Sequence, residues 1–309
     1  MGKSRYSHTG STPSLNVAPV ANHYLSIGFL APDPMEVVDL LRRAITEGSS
    51  DYGDDGTRFI RLHDDASGAR INVVLERSGV VRSAKPSFAP PLPRRVRARI
   101  AGLHPAAANA DADLVQLTPL GGDYPLAVEF ENGSRAICQL SFGEEADVEL
   151  VGFAGRLDCF VDAGAYLASA IPLGIGEVVP AGLYALATAQ DPSGPGSAAL
   201  ASGVVVECNR LRNALSGRDF LHLVVETAAM TLDVVVAPEA VQGPPPQPGC
   251  IVTGALWFVA RLAEPVGVAA AAIASVERQA VTGAGPSASM TAALCLGRPV
   301  RPRLFSRWY

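Results

Sequence analysis

Lysine is almost missing from this 309-residue chain; it occurs at Lys3 and Lys85, and arginine supplies the other 23 basic residues. Charged residues make up only 18%, aromatics 6%, and the net charge is −5. A field of that sign disfavours a dedicated nucleic-acid binder, which needs a basic surface. The arginine bias, with abundant Ala, Gly and Pro, is that of a GC-rich bacterial coding sequence. Five cysteines are present, none in a C-x-x-C spacing, so neither a zinc ribbon nor a thioredoxin-like site is expected. Free thiols in apolar runs act as small hydrophobes and suit a reducing cytoplasm.

Long apolar runs are missing too. The longest late one, Val266–Ser275, is too short to span a bilayer. MGKSRYSHTGSTPSLN has no apolar signal core, and Tyr6 breaks the myristoylation pattern. A soluble, cytoplasmic protein is expected. No G-x-S-x-G elbow occurs, Gly174-Ile175-Gly176 lacks the third glycine of a dinucleotide fingerprint, and Gly2-Lys3-Ser4 has no preceding strand. No cofactor is expected, and no internal repeat is visible.

What is present is apolar: 48% of residues are hydrophobic, with a mean hydropathy of +0.22. That suffices for a large core, and the length suggests two domains. The patterning predicts an α+β protein, mostly antiparallel β. Residues 1–20 read as a polar tail and 21–190 as an α+β domain. Residues 197–262 read as a barrel, and 263–309 as a weak helix and a basic, aromatic tail.

At 22–88 a βαβββ unit is expected. His23–Leu30 alternates as a strand; Asp33, Pro34 and Glu36 start a helix that Gly48 stops. Strands at Thr57–His63, Arg70–Glu76 and Val80–Phe88 follow. Arg94–Ile100 alternates, residues 104–122 read as loop, Tyr124–Glu131, Arg135–Phe142 and Asp147–Phe153 as strands, and 155–170 as helix. The clearest block is Leu200–Arg210, Asp219–Thr227, Met230–Ala237, a helical turn, then Cys250–Leu262. A fifth strand is needed to close that barrel; the candidates are the first half of Leu200–Arg210 or a piece of 178–187.

The run Asp65-Ala66-Ser67-Gly68-Ala69-Arg70-Ile71, within that unit order, resembles the Asp-Pro-x-Gly-Asn-x-Ile hairpin of vicinal oxygen chelate (glyoxalase-like) modules. The resemblance places Asn72 where metal-using members carry Glu, and Ser26 where they carry the first-strand His. It therefore implies the fold without its metal chemistry. The 200–262 block is similar to an OB-fold. The whole chain resembles an uncharacterised bacterial protein family, through His-Tyr-Leu-Ser-Ile-Gly-Phe at 23–29, Gly-Asp-Tyr-Pro at 122–125 and Gly-Ala-Leu-Trp-Phe at 254–258.

Candidate ligand-binding residues on the barrel are Arg210, Arg212, Phe220, His222, Trp257 and Phe258. Trp257 and Phe258 must face opposite sides, one inside and one out. Residues 199–262 hold four arginines against five acids, which favours a protein or peptide ligand over a nucleic acid. Arg95, Arg97 and Arg99 form a stripe that with Arg301, Arg303 and Arg307 makes up the basic candidates; an exposed sheet face is the plainer reading of the stripe. For metal, His23, His63, Asp64 and Asp65 are weak candidates beside an acidic loop containing Asp51, Asp54 and Asp55, and solvated loops of that kind are commoner than sites. The expectation is a non-catalytic binding or scaffold protein with a protein or peptide partner. The alternatives are a metal-dependent enzyme of the vicinal oxygen chelate type and an oligonucleotide binder.

Overall fold

The computed structural model describes residues 21–29, most of 39–52, 58–63, 66–75, most of 78–104, 114–131, most of 140–180, and 197–263. The chain divides into Met1–Ala263 and Glu264–Tyr309, and everything described belongs to the first unit. The strand expected at Arg135–Phe142 and the C-terminal helix and tail lie outside the described residues.

The protein is mostly β. A four-stranded antiparallel sheet runs in the sequential order β1 (Ser49–Tyr52), β2 (Arg58–His63), β3 (Ala69–Leu75) and β4 (Val81–Phe88). The opening strand expected at His23–Leu30 is instead a short helix, α1 (Ala21–Leu25), and a turn. The alternation of Ile27 and Phe29 reflects anchoring rather than a ladder; both are fully buried against the sheet and the barrel. Asp39, Arg42, Arg43 and residues 45–47 are helical, in keeping with the helix expected after Asp33.

Eleven further strands form one sheet that closes on itself. They are β5 (Arg95–His104), β6 (Leu114–Pro119), β7 (Leu126–Phe130), β8 (Glu145–Ala154), β9 (Leu157–Phe160), β10 (Val178–Val179), β11 (Ala198–Arg212), β12 (Asp219–Glu226), β13 (Thr231–Val236), β14 (Val241–Gln242) and β15 (Ile251–Leu262). The closed barrel has eight strands in the order β11-β12-β13-β8-β5-β6-β7-β15, with both parallel and antiparallel neighbours. It draws strands from both sides of residues 190–197.

Residues 104–122, expected to be loop, supply β6, whose inward Val115 and Leu117 are buried. The helix expected over 155–170 is split. Leu157 and Cys159 point inward as β9, and Asp162 then caps a shorter helix, α2 (Ala163–Leu167), by accepting from the Ala165 N–H.

β8 and β15 also pair with each other, which divides the ring into two rings of five. One is β11-β12-β13-β8-β15, so the fifth strand of the predicted barrel is β8, from far upstream, rather than either expected candidate. The other is β5-β6-β7-β15-β8. The two rings repeat each other in register. The β5–β6 ladder slips between Ile100 and Gly102, and β11–β12 slips at the matching place, between Val205 and Glu207. Leu117↔Leu126 has its equivalent in Val225↔Leu232. Arg95↔Glu149 matches Leu200↔Ala255, and the parallel pair Glu129↔Val259 matches Val235↔Phe153. Each half is thus a three-strand meander plus a fourth strand, and the fourth strands are exchanged: β8 runs parallel to β13, and β15 parallel to β7.

The sequence shows no repeat, yet the strand register carries one. Among equivalent strand positions, only Leu126/Leu232, Val128/Val234, Leu150/Leu256 and Ala154/Ala260 keep the same residue. What is preserved is the inward face. Val96/Ala201, Ile100/Val205, Leu117/Val225 and Leu150/Leu256 all enter one core cluster. Burying each large aliphatic side chain contributes about 1.5–3 kcal/mol, so this face dominates the stability of the barrel.

The relating axis passes through the pair Gly152↔Phe258, whose members are equivalent to each other. A Cβ on Gly152 would lie 3.0 Å from Leu256 Cδ1 and 3.4 Å from Phe258 Cε1. The tight neighbour is Leu256, which a side chain at 152 would displace, while the Phe258 ring would be met at ordinary contact distance. Outside the barrel, Val151, Phe153, Phe220, Val235, Trp257 and Val259 form a second apolar face. The sheet β1–β4 covers it with Ala69, Ile71, Val73, Leu75 and Phe88.

Candidate functional site

The residues singled out from the sequence go to three places. Phe258 points into the barrel, as the alternation with Trp257 required. Phe220, His222 and Trp257 are on its outer face but buried under the chain's own N-terminal sheet. Arg210 and Arg212 are exposed at the far end of β11, both directed at Asp219, 2.9 and 3.8 Å away. Arg95, Arg97 and Arg99 do share an exposed face, yet they stand opposite Glu149, Asp147 and Glu145 of β8. Arg97 bonds Glu145 at 3.1 Å, so the stripe is half of a cross-strand charge ladder and not a cationic field. His63 ends β2; Asp64, Asp65, Arg301, Arg303 and Arg307 lie outside the described residues. Among the described residues, no three of His, Cys, Asp and Glu are grouped so as to hold a metal ion. None of their helices is long and apolar enough to cross a membrane.

Two polar clusters lie on the outside of the barrel, and the first of them ties it to the N-terminal sheet. In the first, Glu129 of β7 accepts from Trp257 Nε1 at 2.9 Å, Ser197 Oγ at 3.2 Å and Lys85 Nζ at 2.5 Å. His23 stacks on Trp257, with centroids 4.5 Å apart and planes 11° apart. Burial lowers the His23 pKa to about 4, against the opposing pull of Glu129, so the imidazole is neutral at pH 7. Its Nδ1 is buried without a hydrogen-bond partner. In the second, Asp233 binds His222 Nε2 at 2.8 Å and Arg94 at 3.0 Å, and Arg94 continues to Glu207 at 2.7 Å. The first cluster is a clasp between the layers, through Lys85 and Glu129; the second clasps neighbouring barrel strands, joining β11, β12 and β13 through Arg94.

The open site is elsewhere. The β6–β7 turn, Leu120–Pro125, meets the equivalent β12–β13 turn at 227–230. Contact is close: a Cβ on Gly121 would lie 2.7 Å from the Ala229 carbonyl oxygen, so only glycine permits it. Ala228 donates its N–H to the Gly176 carbonyl at 2.9 Å, which brings the 174–180 segment alongside. That segment is fixed: Ser202 Oγ accepts from Gly176 N and donates to the Gly174 carbonyl, and Glu177 accepts from Gly174 N at 2.8 Å. Between these three pieces lies a groove of about 480 Å³, within the range of ligand sites. Its walls are chiefly apolar, with Pro119, Leu126, Val178, Val179 and Met230, and Tyr124 stands 71% exposed at the rim. Among its described lining residues the charged ones, Asp123 and Glu177, are both acidic.

Gly-Asp-Tyr-Pro at 122–125 stands out in the sequence only through the expected resemblance. Its place in a groove could not be read there, because the turn acquires a wall only where the two repeats touch.

Comparison of the chain with protein-family models, with curated proteins and with solved structures finds no match.

Proposed function

We propose that this is a non-catalytic binding protein that receives a protein or peptide partner in the groove between the two equivalent turns. The observation that carries the reading is the groove itself: apolar walls, a projecting Tyr124, and a floor of backbone locked by hydrogen bonds. Rigid aromatic anchors beside preformed apolar clefts are where binding energy concentrates. We read each five-strand ring as OB-like. In both, a meander is closed by a strand parallel to its third member and one antiparallel to its first, and such barrels bind through loops and faces. The aromatic outer face with Phe220, His222 and Trp257 serves a different purpose: the N-terminal sheet already fills it.

The test is selection of a phage-displayed library of linear 12-residue peptides on the full-length protein, followed by titration of the enriched sequences against Tyr124→Arg and Val179→Arg. Loss of binding in both variants, with unchanged thermal stability, supports the groove. Failure to enrich any sequence, or binders indifferent to both changes, overturns it.

A further inference from the structure

Resting on that reading, we propose that the groove takes its partner as an added β-strand on β10, and that the added segment carries a lysine or arginine. The carbonyl of Glu177 accepts from Ser202 N at 2.9 Å, which makes that residue part of a hydrogen-bonded pair with β11. Bonding alternates along an antiparallel ladder. Val178, paired with Ala201, therefore turns its N–H and C=O away from β11 and toward the groove side. β10 ends the sheet order, and no described strand lies on its outer side. Val178 is only half-buried and Val179 is 45% exposed, so the edge is accessible from outside. A strand edge whose backbone donors and acceptors point away from its own sheet, with no described strand beyond it, is a template for another extended chain.

The side-chain preference follows from charge. Asp123 and Glu177 flank the groove, and none of its described lining residues is basic. A segment alternating apolar residues with one cation would seat its apolar side chains against Val178, Met230 and Tyr124 and offer its charge to the two carboxylates. An acidic segment would meet repulsion on both sides.

The probes are the peptides enriched from the linear 12-residue library. The inference expects a Lys or Arg at a fixed spacing from apolar residues in the enriched set. It expects D123N/E177Q to weaken binding about five-fold at low salt, the scale of two exposed charge contacts, with the difference vanishing at high salt. N-methylation of the one or two peptide amides that face Val178 should weaken binding by about ten-fold or more, while N-methylation at the alternate amides has little effect. Peptides that depend on Tyr124 and Val179 but carry no cation, ignore D123N/E177Q or tolerate N-methylation throughout would overturn this inference and leave the groove reading standing. Peptides that ignore Tyr124 and Val179 would remove both.

Discussion

Gly152 and Phe258 face one another across the central strand pair and occupy the same place in the two halves of the barrel. A true twofold would put identical residues there, whereas this pair sets the smallest residue against a large ring. Gly152→Ala inserts a methyl 3.0 Å from Leu256 Cδ1 and should cost about 1–3 kcal/mol as overpacking. In a Leu256→Val background, which removes that Cδ1 atom, the same change should cost clearly less. Urea denaturation of the four proteins of this cycle measures the coupling, and additive costs would show that positions 152 and 256 do not compete for room.

The buried imidazole of His23 predicts a specific acid response. The unfolded chain takes up this proton near pH 6.5, whereas the folded protein resists until about pH 4. The unfolded state therefore binds more protons between those values, and stability falls as pH drops from 6.5 to 4, then levels for this group. The full difference is about 3 kcal/mol. His23→Phe keeps a ring for Trp257 and removes the proton; its stability should lose that part of the slope. An unchanged slope in the variant, measured by denaturant titration at pH 7, 5.5 and 4.5, would show that His23 is not the group responsible.

Asp233 is 2% exposed and holds both His222 and Arg94. Asp233→Ala leaves the buried His222 without its partner, while the partly exposed Arg94 keeps Glu207, and should destabilise by about 1–3 kcal/mol. Glu207, at the exposed end of the same chain of contacts, should cost less than about 1 kcal/mol on removal. Equal losses at the two positions would contradict the clasp as described.

Cys159, Cys208 and Cys250 lie together in the barrel. Burial first, and then Cys250, pushes the Cys159 thiol up to about 12; burial and Cys250 also raise Cys208. Since the thiolate is the reactive form, these two should resist aromatic disulfide reagents in the native protein and react on unfolding. Rapid native labelling at either, located by peptide mass analysis, would be incompatible with their placement.

Much of the second repeat was legible because its signals are local. The strand expected at Cys250–Leu262 is Ile251–Leu262, that at Asp219–Thr227 is Asp219–Glu226, and the helical turn is the 3₁₀ segment Pro238–Ala240. Period-two alternation and a proline at a helix start can be read from neighbours in the chain. The closure of the ring could not, since parallel pairs such as Val235↔Phe153 join residues with no sequence relation to each other. The repeat was hidden for a similar reason. Register and a bulge were preserved, while outward residues diverged from Arg95, Arg97 and Arg99 to Leu200, Ser202 and Val204. At His23–Phe29 the alternation was real but misleading, because a plug and a strand bury the same positions. The groove depends on Gly121 touching Ala229, and no local pattern announces that contact.

The exchange of fourth strands also sets an order of events during synthesis. The meander β5–β7 is made early, yet the chain that lies beside β7 is β15, which emerges only when residue 262 has been added. Until then the early half carries an open edge, and its inner face has no lid at the axis where Phe258 will sit. Closure of both halves is therefore a single late event that joins distant parts of the polypeptide, a topology associated with slow folding and exposure to aggregation on the way.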